Sequence, residues 1–489
     1  MRAGTFGFGA AFALLLIAAA PAVASPWAEV GDAQMRADLE LLNASGVIRN
    51  LTMTWPLPWQ SIQAALQNKD LRSQTPAVRA AAHRLLALAQ AGTAQGFSGG
   101  AYIDATNRND VIYGFDGMGR GDAQAQLSLG LNSGIFSGRI SLGAITQDFG
   151  RKPNKLMADG TYFSAKLGDA LVYAGYLDHW WGPGQISALQ LSNNARPMPQ
   201  IGFERASTAA SSWPVLRWVG PWQFEFFLAK LDGPQIQSNV YYNGAHLTIS
   251  PLPGLELGIA KTEQFCGQGH PCSPLRDYFT NFDFSNHPDN VNGQGSFELK
   301  YSGAVASLAF QVYGQMMNED YSFSSSSGSS HLFGASIFVP TAGSPVKLTA
   351  EFTDTIATRT PFSFGNFIYG YTYTNGQYPD GMRYRGRTLG FSLDTDSTLS
   401  SLQGSWSDAA GRFYEISLHH ATIGNRHGHG NIISDPPVAL NQAEARVSLP
   451  LMLDGRGFKL DLAGRVQDDQ PLPHNGFLGA VEVALRAPL

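Results

Sequence analysis

Residues 346–352 read Val-Lys-Leu-Thr-Ala-Glu-Phe, so that an apolar side chain alternates with a polar or charged one at every step. Successive side chains of a β-strand point to opposite faces, and the pattern therefore predicts a strand with one apolar and one charged face. The alternation recurs at 222–228, 297–301, 445–449 and 458–462. It continues from residue 96 onwards without a helical interruption, too long for one soluble sandwich of about 100 residues. An apolar face backed by full charges is typical of a membrane barrel with a wet lumen.

The composition indicates the same class of protein. Of the 489 residues, 15% are charged, against about 25% in typical soluble domains. Glycine (54 residues) and aromatic residues (11%) are abundant, as in barrels with glycine turns and aromatic girdles. Beyond the N-terminal segment no run of about 20 apolar residues occurs, which excludes helical membrane spans. The net charge of −5, with mixed signs throughout, gives no case for a nucleic-acid partner.

Short and long connections alternate between the predicted strands. Short turns are expected at 168–169, 251–254, 302–303, 341–344 and 451–455. Longer segments are expected near 147–158, 178–213, 262–294, 318–330, 356–384 and 422–440. Bacterial barrels have short periplasmic turns, long external loops and an even number of strands. We therefore expect a transmembrane antiparallel β-barrel of about 18 strands over residues 96–489, placed in the outer membrane.

The first residues are typical of a cleavable export signal. Arg2 supplies a positive start, residues 6–20 form an apolar core, and Ala22-Val23-Ala24 is a small-x-small cleavage site. We expect a signal peptide over residues 1–24.

Residues 25–95 have a helical rather than a strand period. Asp32 can cap a first helix that Gly46 ends, while Pro58 and Pro76 are placed to begin a second and a third. The expected unit is a small periplasmic helical bundle that precedes the barrel.

The two cysteines of the chain, Cys266 and Cys272, lie in the short segment Cys-Gly-Gln-Gly-His-Pro-Cys. In an oxidising compartment this spacing favours a local disulfide. A metal pair with His270 is the alternative, but no further ligands lie near it in the sequence.

Four histidines, at 419, 420, 427 and 429, suggest a second metal hypothesis. A metal site also needs further ligands in fixed geometry, so this signal is weak. We expect neither a metal nor a cofactor.

The segment from Asp178 to Pro197 does not alternate, and it is dense in tryptophan, asparagine, arginine and glycine. Aromatic faces stack on sugar rings, while amide and guanidinium groups hydrogen-bond hydroxyls and carboxylates. Candidate polysaccharide-binding residues here are Trp180, Trp181, Asn193, Asn194 and Arg196. The alternative is that the segment folds back into the lumen and satisfies buried wall charges.

A second polar and aromatic segment spans Tyr378 to Arg387. Its arginines Arg383, Arg385 and Arg387 alternate, so on a strand they would form a basic ladder that faces the lumen. Such a ladder could guide an acidic polymer or balance the acids of the lumen. We include these arginines among the candidate polysaccharide-binding residues.

Catalytic motifs are not found in a suitable context. The sequence has no serine elbow, phosphate loop, dinucleotide fingerprint or zinc-protease helix. A pair of carboxylates such as Asp394 and Asp396 says little in a chain with 38 acidic residues. We expect a protein that is not an enzyme.

Several segments together have the pattern of one known family: Trp27, Gly31-Asp32, Arg36-Ala37-Asp38, Gly46-Val47-Ile48, Thr54-Trp55-Pro56-Leu57, Trp181-Gly182-Pro183-Gly184, Leu191 to Pro197, Cys266-Gly267 with Pro271-Cys272, and Gly381 to Gly390. In these segments the chain resembles the capsule assembly protein Wzi family. It implies an 18-stranded barrel with a helical bundle on the periplasmic side. It also implies a lectin-like role, in which the protein binds capsular polysaccharide at the cell surface and helps to anchor it.

The function expected from these observations is non-enzymatic binding of capsular or extracellular polysaccharide at the cell surface. The expected partners are that polysaccharide, the lipid of the outer membrane and the polysaccharide export machinery. A passive channel for sugars or other small solutes is the alternative function.

Overall fold

The structure is a computed structural model. It describes residues 25–67, 69–148, 156–214, 216–270, 272, 291–319, 328–341, 344–363, 365–408, 410–454, 456–469, 471 and 476–489. The predicted signal peptide at 1–24 lies outside the described residues.

The second part of the chain forms a closed antiparallel barrel of 18 strands, which confirms the predicted fold class. Each strand pairs with the next along the chain, and the last pairs with the first to close the barrel. In chain order, β1 to β18 are Gly96–Thr106, Gly121–Ser133, Phe136–Asp148, Tyr162–Leu167, Ala170–Tyr176, Pro199–Arg205, Trp222–Lys230, Val240–Ile249, Leu255–Cys266, Val291–Val305, Leu308–Glu319, Ser329–Val339, Val346–Thr358, Thr398–Ser407, Phe413–Ile423, Val438–Leu453, Arg456–Gln467 and Leu478–Pro488.

The barrel wall is apolar outside and polar inside. In β13, Leu348 and Phe352 are 44% and 38% exposed, whereas Lys347 and Glu351 are buried inside at 6% and 5%. The same holds in β10, where Leu299 is exposed and its neighbours Glu298 and Lys300 are buried. A soluble protein has the opposite arrangement, and an apolar outer band is the property of a transmembrane barrel.

None of the described helices combines the length and the apolar composition needed to cross a bilayer.

The two ends of the barrel differ. At one end, which we call the turn end, most connections are short, as at 168–169 and 306–307. At the other, the loop end, connections such as 177–198 and 359–397 are long. The predicted alternation of turns and loops is therefore present.

Two predicted connections are wrong in detail. The segment 178–213 was expected to be one long loop, but it contains β6, in which Ile201 points outwards while Gln200 points inwards. Only seven residues long and interrupted by Gly202, this strand gives too short an alternation to stand out. The turn expected at 302–303 lies after Val305, because β10 continues to that residue.

The three predicted helices are present as α1 (Ala33–Ala44), α2 (Trp59–Leu66) and α3 (Pro76–Gly92). The side chain of Asp32 accepts the Met35 N–H at 2.9 Å and caps α1. The helix then ends before Gly46, which takes the positive φ of 71° that glycine favours. All three helices lie at the turn end.

Helix α1 also closes the lumen at that end. The buried carboxylate of Glu40 accepts hydrogen bonds from Lys300 on β10 at 3.0 Å and from Lys347 on β13 at 2.7 Å. Arg36, one turn earlier, pairs with the same carboxylate at 3.2 Å. The helix is thus joined to the barrel wall by a fully buried charge cluster.

Segments from the loop end fill the rest of the lumen. Tyr373 and Leu393 in the connection between β13 and β14, and Leu189 in the one between β5 and β6, pack into one hydrophobic core with inward-facing wall residues. The Glu351 carboxylate on β13 accepts hydrogen bonds from three successive backbone N–H groups of the connection between β5 and β6. These are Gln185, Ile186 and Ser187, at 2.6, 3.2 and 2.7 Å. The described part of the lumen is therefore occupied by protein.

Replacing Glu40 tests the buried cluster. We expect Glu40→Ala to destabilise the folded barrel by about 3–5 kcal/mol, because it leaves Lys300 and Lys347 buried without their acidic partner. The measurement is the temperature at which the barrel unfolds in detergent, followed by its heat-dependent shift in gel mobility. Asp70→Ala is the matched control, since Asp70 and Arg72 form an exposed pair and its loss should leave the unfolding temperature unchanged. Equal unfolding temperatures for both variants would contradict the cluster's role.

Candidate functional site

The predicted Trp180 segment lies inside the barrel. Trp180 and Trp181 pair antiparallel with Trp55 and Thr54 of the N-terminal part, and both tryptophans are fully buried. The Trp180 Nε1–H donates to the Gly184 carbonyl at 3.1 Å. Neither ring therefore presents a free face at the surface.

Aromatic packing ties this segment to the helices. Phe115 lies edge-on between Trp55 and Trp180, with ring centroids 5.1 and 5.5 Å away. The Arg36 guanidinium of α1 lies 4.4 Å from the centroid of the same ring and donates to the carbonyls of Pro183 and Gly184. The contacts hold the segment against both α1 and the barrel wall.

Asn193, Asn194 and Arg196 are also buried and bonded to protein groups. The Asn193 amide donates to the Phe115 carbonyl at 3.0 Å, and the Asn194 amide donates to the Thr388 carbonyl at 2.9 Å. Arg196 pairs with Asp159 at 2.8 Å. These geometries match the alternative in which the segment satisfies groups within the lumen.

The three predicted arginines do not form a ladder, and that expectation is wrong. Arg383–Tyr384 and Arg387–Thr388 pair with each other as two arms of a tight hairpin. Arg385 is in the turn, with a positive φ of 51°. The hairpin belongs to the loop-end connection between β13 and β14 rather than to a barrel strand.

Asp394 joins this hairpin to its neighbours. Its buried carboxylate pairs with Arg383 at 3.0 and 2.8 Å and accepts the Thr388 hydroxyl at 2.9 Å. It also accepts the Ile432 N–H at 2.9 Å, from the connection between β15 and β16. One carboxylate therefore sets the position of two loop-end connections.

A polar cavity opens where three loop-end connections meet, and we call it the loop-end pocket. Its volume of about 390 Å³ falls in the range of about 300–1,000 Å³ typical of small-molecule sites. It lies between the connections β7–β8, β13–β14 and β15–β16. Its polar lining side chains are Gln235, Asp380, Arg383, Arg385, Asn431 and Asp435.

The lining groups are held in place from behind. Arg385 donates to Asp232 at 3.0 Å, and its guanidinium lies 5.1 Å from the centroid of the Tyr384 ring. The Asn431 amide donates to the carbonyls of Leu393 and Thr395 at 3.0 and 2.6 Å. The buried Gln235 Oε1 has no hydrogen-bond partner among the residues that the structure describes. A rigid rim of donors and acceptors of both charges suits a hydroxyl-rich ligand that carries carboxylates.

Of the eight predicted sugar-binding residues, the pocket brings together Arg383 and Arg385. Gln235, Asp380, Asn431 and Asp435 were not among the candidates. Three of these, Gln235, Asp380 and Asp435, stand next to a proline in a long connection, which is only a turn signal. Nothing in the sequence places the three connections side by side.

The predicted cysteine and histidine sites lie elsewhere. Cys266 and Cys272 are joined by a disulfide at the end of β9, with S–S 2.00 Å, and the His270 ring stacks on Tyr378. His419 points into the barrel and bonds Ser401, whereas His420 points outwards and bonds Asn441. Among the residues that the structure describes, no group of three or more His, Cys, Asp or Glu side chains is placed to hold a metal ion.

Known proteins share this architecture. A solved structure with a TM-score of 0.80 and 23% identity covers 94% of this chain and 99% of its own. It is Wzi of Escherichia coli, described as an outer-membrane protein involved in group 1 capsule assembly and as a carbohydrate-binding β-barrel. At this identity the likeness shows the fold.

The sequence comparison decides the family. The model of the family described as capsule assembly protein Wzi matches residues 90–464. The chain belongs to the capsule assembly protein Wzi family. A Klebsiella pneumoniae relative, an uncharacterized 55.8 kDa protein in the cps region, is 31% identical over 309 residues. The match covers 60% of this Wzi-family chain and 58% of that relative, so it spans less than two thirds of the relative's length.

Asp396, beside the pocket, makes the loop end sensitive to pH. Burial raises the pKa of Asp396 to about 6, and the nearby Asp394 acts in the same direction, against the Gly370 N–H and His429. The folded-state pKa lies above the ordinary value of 3.8. The contribution of protonated Asp396 to the stability of the fold is therefore fully present below pH 3.8 and is lost as the pH rises through about 6.

We therefore expect Asp396→Asn to unfold at a higher temperature than the unmodified protein at pH 8, and at the same temperature at pH 4. Asparagine keeps an acceptor for Gly370 and tolerates the positive φ at this position. Thermal unfolding in detergent, followed by tryptophan fluorescence across this range, is the measurement. Asp435→Asn, at an exposed carboxylate of the same loop cluster, is the control. A difference that is constant with pH would refute the assignment.

Proposed function

We propose that this protein binds capsular or extracellular polysaccharide at the cell surface and helps its attachment and assembly. In this proposal the loop end faces the outside of the cell and the turn end, with the helical bundle of residues 25–95, faces the periplasm. Long external loops and short periplasmic turns support that orientation. Cleavage of the signal peptide at 1–24 would precede insertion.

The observation that carries the proposal is the position of the loop-end pocket. It is a mixed-charge cavity of about 390 Å³ at the end with the long connections, in a chain of the capsule assembly protein Wzi family. The described part of the lumen, by contrast, is occupied by α1 and by packed loop-end segments. A polymer that arrives from outside would therefore meet the pocket first.

The predicted residues then divide into two roles. Arg383 and Arg385 would contact the sugar, with the side-chain oxygen of Gln235 as a hydrogen-bond acceptor. Trp180, Trp181, Asn193, Asn194, Arg196 and Arg387 would hold the packed segments on which the pocket rests. Asn194 accepts from Arg387 at 3.2 Å, which joins the Asp178–Pro197 segment to the hairpin that carries Arg383 and Arg385.

Each pocket would bind one repeat of the polymer weakly. Many repeats along one chain and many barrels on one cell would then add through effective concentration. Such binding needs no catalytic step. We also propose that the turn end, with its helices, is the surface available to the export machinery.

The first test is the partition of polysaccharide between cells and medium in a deletion strain that carries a plasmid copy. The unmodified protein should keep polymer on the cell. Arg385→Ala should shift a large share of it to the medium at equal total production, because the pocket loses its partly exposed cation.

Arg217→Ala is the matched control, because Arg217 lies on a short helix at the turn end and should leave the partition unchanged. Correct folding of both variants is verified by the heat-dependent gel shift. If the deletion strain without plasmid retains its polymer as well as the parent strain, surface retention is not the function. If the deletion strain loses its polymer but the strain with Arg385→Ala retains it, the pocket is not the binding site.

The passive channel predicts a different outcome, which can be measured in a planar bilayer. We expect no steady conductance from the purified protein, because α1 and the loop-end segments occupy the lumen. Glu40→Ala should produce intermittent openings, since it removes the tie between α1 and the wall. A steady open pore that oligosaccharides block would favour transport over surface binding.

A further inference from the structure

A groove runs along the outward face of the barrel, away from the loop-end pocket. It is lined by residues of strands β11 to β17 and by Phe477, just before β18, and has a volume of about 930 Å³. Its floor is made of small outward side chains at Ala350, Ser400 and Ala443, each beside a larger neighbour. Because this surface faces the bilayer, the groove is a recess at the place where an acyl chain lies.

The apolar part of the groove lies at a single height along the barrel axis, which we call a level. Leu402 pairs with Leu418 across β14 and β15, and the two side chains are 60% and 53% exposed. Ala443 on β16 continues the level between Leu418 and Val466, according to the strand register. Without a large side chain at 443, the two leucines and the valine border a depression.

A polar row lies one level nearer the loop end. Ser400, His420 and Asn441 face outwards opposite one another on three neighbouring strands. His420 Nδ1 lies 2.8 Å from Asn441 Oδ1, and the Asn441 amide donates to Asp468 at 2.6 Å. Four polar side chains in line on the lipid-facing surface are unusual for a barrel, whose outer band is apolar.

The groove and the loop-end pocket share one connection. His420 lies three residues before the end of β15, and Asn441 lies three residues after the start of β16. The connection between these strands carries Asn431 and Asp435 into the pocket. At about 3.3 Å per residue, the polar row lies roughly 10 Å below that connection.

We propose that this groove binds an outer-leaflet glycolipid, with an acyl chain along Leu402, Leu418 and Ala443 and an uncharged sugar head at the polar row. The sign of the charges decides against a phospholipid. No lysine or arginine lines the described groove, and Asp468 would repel a phosphate. The Ser400 hydroxyl, the His420 imidazole and the Asn441 amide match sugar hydroxyls instead. The inference rests on the orientation in the proposed function, but it requires no binding at the loop-end pocket.

The test uses two synthetic lipids with the same two acyl chains, one with a glucosyl head and one with a phosphoglycerol head. Purified full-length protein in a detergent without sugar is mixed with each lipid, and the retained lipid is measured by native mass spectrometry. We expect the protein to retain the glucosyl lipid and to release the phosphoglycerol lipid.

Ala443→Phe should reduce retention of the glucosyl lipid about tenfold, because the ring displaces methylene groups of the chain from the groove. His420→Leu should lower retention of the glucosyl lipid towards that of the phosphoglycerol lipid, because the sugar hydroxyls lose a hydrogen-bonding partner. Ala125→Phe, at an exposed outward position on β2, makes the same change elsewhere on the barrel and should have no effect. The heat-dependent gel shift confirms that each variant is folded.

Two results would overturn the proposal. Ala443→Phe that retains the glucosyl lipid as well as Ala125→Phe would show that the groove is not the site. Equal retention of both lipids by the unmodified protein would show an unselective lipid shell. Free polysaccharide measured on the same Ala443→Phe sample separates the two proposals, since the loop-end pocket is unaltered there.

Discussion

The contact between Glu351 and three backbone N–H groups of residues 185–187 shows the constraint on which the structure depends. A barrel wall that is apolar outside points its charged side chains inwards, and a buried carboxylate without partners would be costly. Here a segment of the chain supplies the partners and is fixed by them. Glu40 does the same from the other end, where α1 brings a carboxylate to Lys300 and Lys347. The charges of the wall thus explain both why the lumen is filled and how its filling is held.

The filled lumen determines where a ligand can bind. Once Trp180 and Trp181 are packed against Trp55 and Phe115, their rings are no longer available to a sugar from outside. Binding chemistry is therefore left to the parts of the loops that project beyond the packed core. The Arg383–Thr388 hairpin is such a part, because Asp394 holds its base while Arg385 in its turn lies at the pocket. The same packing that removes one candidate site gives the other its rigidity.

The fold could be predicted from sequence because its signals are local. The alternation at 346–352 and the helix-start signals at Asp32 and Pro76 act on neighbouring residues only, and β13, α1 and α3 are where those signals place them. Strand β6 was missed because seven residues with a central glycine carry little periodic signal.

The pocket could not be predicted for a different reason. Gln235, Asp380 and Asn431 are far apart in sequence, and only barrel closure brings their loops together. The arginine ladder was wrong since alternation within a loop does not require a strand, and Arg385 is placed in a turn instead.

The polar row on the outward face suggests how the two proposed sites relate. Strands β15 and β16 carry His420 and Asn441 at the lipid surface, and the loop between them carries Asn431 into the pocket. A rise of roughly 10 Å separates the two levels, which is short compared with a polymer. A glycolipid held by its acyl chain would thus present its sugars next to the pocket that we propose for polysaccharide. The lateral diffusion of that glycolipid would then be restricted at the place where the polymer is held. The contact at the groove and the contact at the pocket would each raise the effective concentration for the other.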